Sequence, residues 1–248
     1  SMKKTDPDNL RRPALDLLVR LLPEDAKAGV WTFGQSVNMI VPHQSVTPSW
    51  RSSALPKAQA VNSVGLFTNI GAALDTASFD RALSSTEYQR HIVLLTDGVV
   101  DVSKNPADNN AATDRIYTEI LPALINSGYR IHTIALSDNA DSSLLKQLSS
   151  ESDGVFAIAK DADALMSTFL RIFDQAVPQE RVPLDEDGFL IDASVKEFTA
   201  LIFRAEKSST TSLVAPDGSR FNATNTTHRV RWHRSDSYDL ITVTAPAV

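Results

Sequence analysis

The reading of this chain turns on one stretch, His91-Ile92-Val93-Leu94-Leu95-Thr96-Asp97-Gly98. An apolar run without polar interruption stops abruptly at Thr-Asp-Gly. Such a run is what a strand buried on both faces of a parallel sheet requires. Open α/β sheets bind ligands beyond the carboxyl ends of their strands. The run therefore delivers the Asp97 carboxylate to the edge where chemistry or metal binding is done. Asp97-Gly98 also allows the plainer reading of a turn, and the surrounding sequence favours the site.

Outward from this strand, the pattern alternates. Residues 9–22 carry Leu10, Ala14, Leu17, Leu18, Leu21 and Leu22 at helical spacing, and Pro23 closes the helix. Residues 28–34 read as a buried strand. Gly34-Gln35-Ser36 turns it into a second strand, residues 37–41, which a turn this short makes antiparallel. A Pro- and Ser-rich connection follows over residues 42–56. Residues 69–83 are helical, with Ile70, Ala73, Leu74 and Ala77 on one face. After the central strand come a helix over 111–125 with Gly128 as its stop, a strand over 129–136 and a helix over 141–149. A short strand at 155–158 and a closing helix at 161–176, with Asp161 as N-cap, complete the series. This order specifies an α/β fold with a doubly wound, mostly parallel sheet flanked by helices.

The pattern changes after Pro178. From Val182 onward no helical period remains, and residues 189–191, 195–204, 212–215, 230–233 and 240–244 read as strands separated by turns such as Pro216-Asp217-Gly218. The expectation is a small antiparallel β-sandwich. The domains then run 1–177 and 182–248, joined by a short Pro-containing linker.

Composition narrows the function. A chain of 248 residues that is 42% hydrophobic can bury a sizeable core. Its net charge of −6 argues against a general nucleic-acid binder. It has no cysteine, which removes disulfides and thiolate metal sites. No apolar run approaches the ~18 residues of a membrane span. The chain contains no HExxH, GxSxG, P-loop or GxGxxG motif. His43, His91, His132, His228 and His233 are scattered without ligand spacing, so a hydrolase is disfavoured and no enzyme activity is expected.

Three segments combine into a site. Ser1-Met2-Lys3 stands before the first helix, Phe67-Thr68-Asn69-Ile70-Gly71 before the second long helix, and Thr96-Asp97-Gly98 at the end of the central strand. In this the chain resembles the von Willebrand factor type A domain, the integrin I-like fold. That family carries a metal-ion-dependent adhesion site built from a DxSxS loop, a Thr in a second loop and an Asp, usually in TDG, in a third. The resemblance spans roughly residues 1–176 and matches at Thr68 and Asp97, with Ser1 in the place of the last Ser of DxSxS. It implies a Mg²⁺ site, or one for Ca²⁺ or Mn²⁺, with Ser1, Thr68 and Asp97 as ligands. Oxygen donors and retained waters suit such a hard cation. The resemblance further implies that a partner protein's carboxylate completes the shell. The strand before DxSxS, its Asp and its first Ser are not in the sequence, so the chain as it stands is expected to bind metal weakly or not at all, and the parent protein to bind it fully. Ser1 also reads as a residue left by tag removal or as a disordered terminus.

Plainer readings accompany these. Thr68 alone could be an ordinary helix N-cap. Asp101 reads as a solvated loop carboxylate, and Asp185-Glu186-Asp187-Gly188 as a solvated turn. His228, Arg229, Arg231, His233 and Arg234 read as a solvated strand face. Asn222-Ala223-Thr224 and Asn225-Thr226-Thr227 match glycosylation sequons.

The function expected is a cation-dependent protein-binding or adhesion module of a cell-envelope or secreted protein, periplasmic or at the cell surface. The alternative is an intracellular scaffold working with an ATPase partner, as in chelatase-associated type A domains. In the type A fold the absent strand lies between those at 28–33 and 91–95. Buried backbone groups left unpaired cost on the order of 1–3 kcal/mol each, so several rival the ~5–15 kcal/mol of a whole domain. Either those two strands pair directly, or a strand from elsewhere enters. A neighbouring molecule is the favoured donor, which makes homo-oligomers, with residues 240–244 as a candidate donor strand.

Overall fold

The structure, a computed structural model, describes residues 9, 11–62, 66–83, 88–177, 180–185, 188–204 and 206–246. The chain forms two compact units, residues 1–178 and 179–248.

The first unit runs α1 (Arg11–Leu21), β1 (Lys27–Phe33), β2 (Val37–Ser45), α2 (Pro48–Gln59), α3 (Ile70–Ala77) and β3 (Arg90–Thr96). It continues through α4 (Pro106–Arg115), α5 (Leu121–Asn126), β4 (Tyr129–Ala135), α6 (Ser142–Glu151), β5 (Phe156–Ile158) and α7 (Ala162–Ala176). β3, β4 and β5 are parallel and adjacent in that order. The register pairs Ile92 with Ile131 and Leu94 with Thr133, which sets Ile92, Leu94, Tyr129 and Ile131 on one face. They pack there with Ile70 and Leu74 of α3, Leu121 and Leu124 of α5, and Leu144, Leu145 and Leu148 of α6. Each fully buried side chain of this size contributes roughly 1.5–3 kcal/mol. β1 and β2 form an antiparallel pair whose register shifts around Val30. Gly29 sits at that irregularity, where a Cβ would come within 2.8 Å of the Trp31 ring and 3.0 Å of His43 Cα.

The Pro- and Ser-rich stretch over residues 42–56, to which the sequence reading gave no element, is structured. β2 continues to Ser45 and α2 follows directly. Thr47 caps α2 by accepting the Trp50 amide at 3.0 Å, and Pro48 occupies the first turn, where its missing N–H costs nothing. Trp50, Ala54 and Ala58 recur every four residues and make the buried face. The prolines and serines masked that stripe.

The long helix after β3 starts earlier than its periodicity implied, at Pro106 with Asn105 as cap, and a π turn over Ile116–Ile120 joins α4 to α5. The Leu121 amide reaches back to Ile116 O, five residues away. Pro122 accounts for it: proline offers no N–H, and its ring would collide with the carbonyl four residues earlier. Gly128, at φ 74°, ends the helix as expected.

β1 pairs only with β2, and β3 only with β4, among the described residues. The expected direct pairing of residues 28–33 with 91–95 is therefore not what the chain does. Phe33 of β1 nonetheless packs against the cluster that holds Ile92 and Leu94 of β3.

The second unit holds β6 (Glu197–Phe203), β7 (Leu213–Val214), β8 (Arg220–Phe221), β9 (Val230–Arg234) and β10 (Tyr238–Thr244). All pairings are antiparallel, in a three-stranded sheet of order β6-β10-β9 and a β7-β8 hairpin. Val230, Ile241 and Val243 form the core, with Phe198, Ile202, Leu213, Phe221 and Trp232 packed around it. Asp239 is fully buried, accepts from Thr211 and Trp232 and forms an ion pair with Arg204 at 3.1 Å, which compensates a carboxylate that would otherwise be costly. Two expectations are overturned here. Residues 189–191 form no strand, and Leu190 is 91% exposed. Residues 240–244 are flanked on both sides by β6 and β9, so their backbone groups are already used and they cannot serve as a donor strand. No helix among the described residues is long and apolar enough to cross a membrane.

Candidate metal and protein-binding site

β3 brings Asp97 to the carboxyl edge of the sheet and the surrounding backbone fixes it there. The last ladder pair is Thr96 with Ala135, and the Leu136 amide donates to Thr96 O at 2.9 Å. The Ser137 hydroxyl donates to Asp97 O at 2.8 Å. Thr96 Oγ1 accepts the Gly98 amide at 3.3 Å, closing the turn. Asp97 is only 4% exposed, an unusual setting for a turn carboxylate.

Thr68 lies on the neighbouring loop. It is not the N-cap of α3: Asn69 has that position, and its Oδ1 accepts the Ala72 amide at 2.9 Å. The Asn69 amide donates to Gly34 O at 3.2 Å, tying the loop to the end of β1. Phe67 is held at φ 65°, a left-handed conformation costly for a bulky residue. Thr68 and Asp101 exchange both backbone hydrogen bonds, at 2.6 and 3.1 Å. This two-way bridge stitches the Thr68 loop to the segment that follows Asp97. Gly98 lies between them, and a Cβ there would stand 3.7 Å from Thr68 Oγ1.

The two described candidates, Thr68 and Asp97, thus belong to loops sewn together at one sheet edge. Ser1 lies outside the described residues. Asp101, read as a solvated loop carboxylate, is half-buried and bridges Thr68 through its main chain. A hydroxyl and carboxylates at one edge form an oxygen-only donor set, which suits a hard cation. No group of three or more His, Cys, Asp or Glu that could hold a metal occurs among the described residues, so a cation here would depend on hydroxyl, water and external ligands.

The model of the von Willebrand factor type A domain matches residues 1–171. The chain belongs to this family. A type A protein from Catenulispora acidiphila has a similar structure, with a TM-score of 0.58 at 14% identity, covering 99% of this chain and 56% of that one. Proximal thread matrix protein 1 from the mussel byssus is similar at TM-score 0.52 and 20% identity, covering 71% and 43%. One structure of that matrix protein has its MIDAS motif occupied by zinc (TM-score 0.50, 15% identity, coverage 71% and 43%). The pilus adhesin SpaC from Lactobacillus rhamnosus GG is similar at TM-score 0.51 and 12% identity, covering 98% and 35%. At such identities these likenesses concern the fold, and the chain spans little more than half of the first structure's length and less of the others. No curated protein matches the chain.

The histidines, without spacing in sequence, include one pair that the type A sheet assembles. The register sets His91 and His132 on the same face of β3 and β4. The Val155 amide donates to His132 Nδ1 at 3.1 Å, which leaves the ring proton on Nε2. That nitrogen is 2.9 Å from His91 Nδ1. His91 must then carry its own proton on Nε2, which is buried without a hydrogen-bond partner. Burial, then His91 and Arg130, push His132 down to about 4. Burial and Arg130 lower His91. Both rings are neutral at pH 7.

Proposed function

We propose that this chain is a divalent-cation-dependent protein-binding module, and not an enzyme. Thr68 and Asp97 would contribute ligands to Mg²⁺ or a related cation, with Ser1 as the third ligand. The observation that carries this reading is the Thr68–Asp101 bridge, which joins the Thr68 loop to the Asp97 loop at the sheet's carboxyl edge. A cation held by few direct charges stays electrophilic, so a carboxylate from a partner protein is the natural group to complete its shell. The zinc-occupied MIDAS motif of the mussel protein supports a divalent ion. An adhesin and a byssus matrix protein among the similar structures support a role at a cell surface or outside the cell.

Titration calorimetry with Mg²⁺ tests the site. Mg²⁺ affinity is expected to be weak in this chain, to fall further in Thr68→Ala and to vanish in Asp97→Ala, since an oxygen ligand is lost in each case. Thermal unfolding of both variants serves as the control for folding. Binding that survives Asp97→Ala would overturn the assignment.

We further propose that residues 1–177 and 182–248 are separate domains, a reading supported by the two compact units. Limited proteolysis should cut first within 177–183 and leave two stable pieces. First cleavage inside either piece would count against the division. Finally, we propose that the edges of β1 and β3 left unpaired among the described residues promote self-association.

A further inference from the structure

A cavity of about 600 Å³ opens beside the Thr68 loop. The end of β1 and the turn into β2 form one wall, through Phe33, Gly34 and Asn38, and the end of α2 forms the other, through Lys57 and Val61. Leu66 closes the side nearest the site, two residues before Thr68. Gly34 belongs to the wall and also accepts the Asn69 amide, so cavity and site share one loop. Arg12 Nε donates to Val61 O at 2.6 Å and anchors the far wall.

Three observations single out this cavity. Leu66 is 74% exposed although apolar, and it precedes the strained Phe67, whose conformation is held by the bonds around Thr68 and Asn69. Strain persists where the surroundings over-determine it, and it clusters at ligand-binding loops. Lys57 is the one charged side chain in the lining, and it makes no ion pair among the described residues. The chain as a whole carries a net charge of −6, and Lys57 offers an acidic group a positive partner at this rim.

We propose that the cavity is a second anchoring point for an extended acidic peptide segment of the partner. The proposal rests on the cation reading above. One carboxylate of the segment goes to the cation at Thr68 and Asp97. A second acidic side chain of the same segment pairs with Lys57, and Leu66 packs on the aliphatic part of the chain between them. In an extended segment alternate side chains lie on the same side, so two acidic side chains of one segment can face this surface together. The cation supplies affinity, and Lys57 fixes the direction in which the segment lies.

Fluorescein-labelled octaglutamate is the probe, with octaglutamine as its uncharged control, and anisotropy is read on the full chain in Mg²⁺ buffer. Octaglutamate should bind and octaglutamine should not. Lys57→Gln should weaken binding by up to about fivefold, the upper end open to an exposed ion pair. Lys57→Glu should weaken it further, and Leu66→Asp should weaken it as well. Removal of the cation with EDTA, or Thr68→Ala, should weaken binding independently of Lys57. Loss of binding in Lys57→Glu, with no effect of EDTA or Thr68→Ala on the unsubstituted chain, would support the cavity and overturn the cation reading. Sensitivity to EDTA and Thr68→Ala with indifference to both Lys57 variants would keep the cation reading and overturn the cavity. Equal binding of the two peptides, or no binding of octaglutamate, would overturn the cavity proposal.

Discussion

The Val155 amide sets the protonation state of two residues, since its bond to His132 Nδ1 fixes one tautomer and, through it, the other. This makes stability depend on pH in a definite direction. His132 titrates at about 4 in the folded chain against 6.5 when unfolded, and His91 is lowered too. Between these values the unfolded chain binds a proton that the folded chain refuses. The stabilisation is therefore complete above pH 6.5 and is lost as the pH falls towards 4, with a slope approaching 1.4 kcal/mol per pH unit for each proton. Urea unfolding is expected to show a loss of about 1–2 kcal/mol between pH 7 and pH 5. His132→Gln, which cannot charge, should flatten that loss. An unchanged pH dependence in the variant would remove the pair as its source. This pair could not have been read in the sequence, because forty-one positions separate its members and only the parallel register brings them onto one face. Asp97 was legible for the opposite reason. Its position follows from one local pattern, an apolar strand running into a turn, and the sheet does the rest.

At the scale of elements, the helices that announced themselves were those with an apolar period of three to four and a polar cap. The helix α7 is such a case, and Asp161 accepts the Ala164 amide at 2.7 Å as its position implied. The helix α2 was illegible because its prolines stand where they do no harm or little, while its buried face is mostly alanine. Its cap is the place to test it. Thr47→Ala should lower stability by about 1 kcal/mol, the typical value of an N-cap hydroxyl. It should do so as a shift in the urea midpoint at unchanged slope, since the surface exposed on unfolding is the same. An unmoved midpoint would mean that Trp50, Ala54 and Ala58 hold the helix without the cap. The π turn before Pro122 follows the same logic: a proline placed for other reasons is accommodated by a local change in hydrogen bonding, and periodicity alone reads straight through it.

For the molecule as a whole, the parallel sheet flanked by helices was legible from the order of elements, whereas the pairing of its strands was not. The apolar runs reveal strands at 28–34 and 91–95; they do not reveal which neighbours their edges find. Each of these strands pairs on one side only among the described residues. Most of their positions are half-buried, whereas β4, paired on both sides, is buried almost throughout. An edge with free N–H and C=O groups beside apolar side chains is a template for another strand. The net charge of −6 opposes association, but at moderate ionic strength repulsion between distant charges is largely screened within about 10 Å. Edge pairing should then prevail as concentration rises. Static light scattering on the intact chain is expected to show a mass that increases with concentration, and more steeply as salt is added. Hydrogen exchange should show the amides of β3 slowing in parallel, because pairing protects them, while those of β10, already bonded on both sides, stay unchanged. A mass that remains monomeric across the range, with β3 amides exchanging at a constant rate, would show that these edges do not recruit a strand.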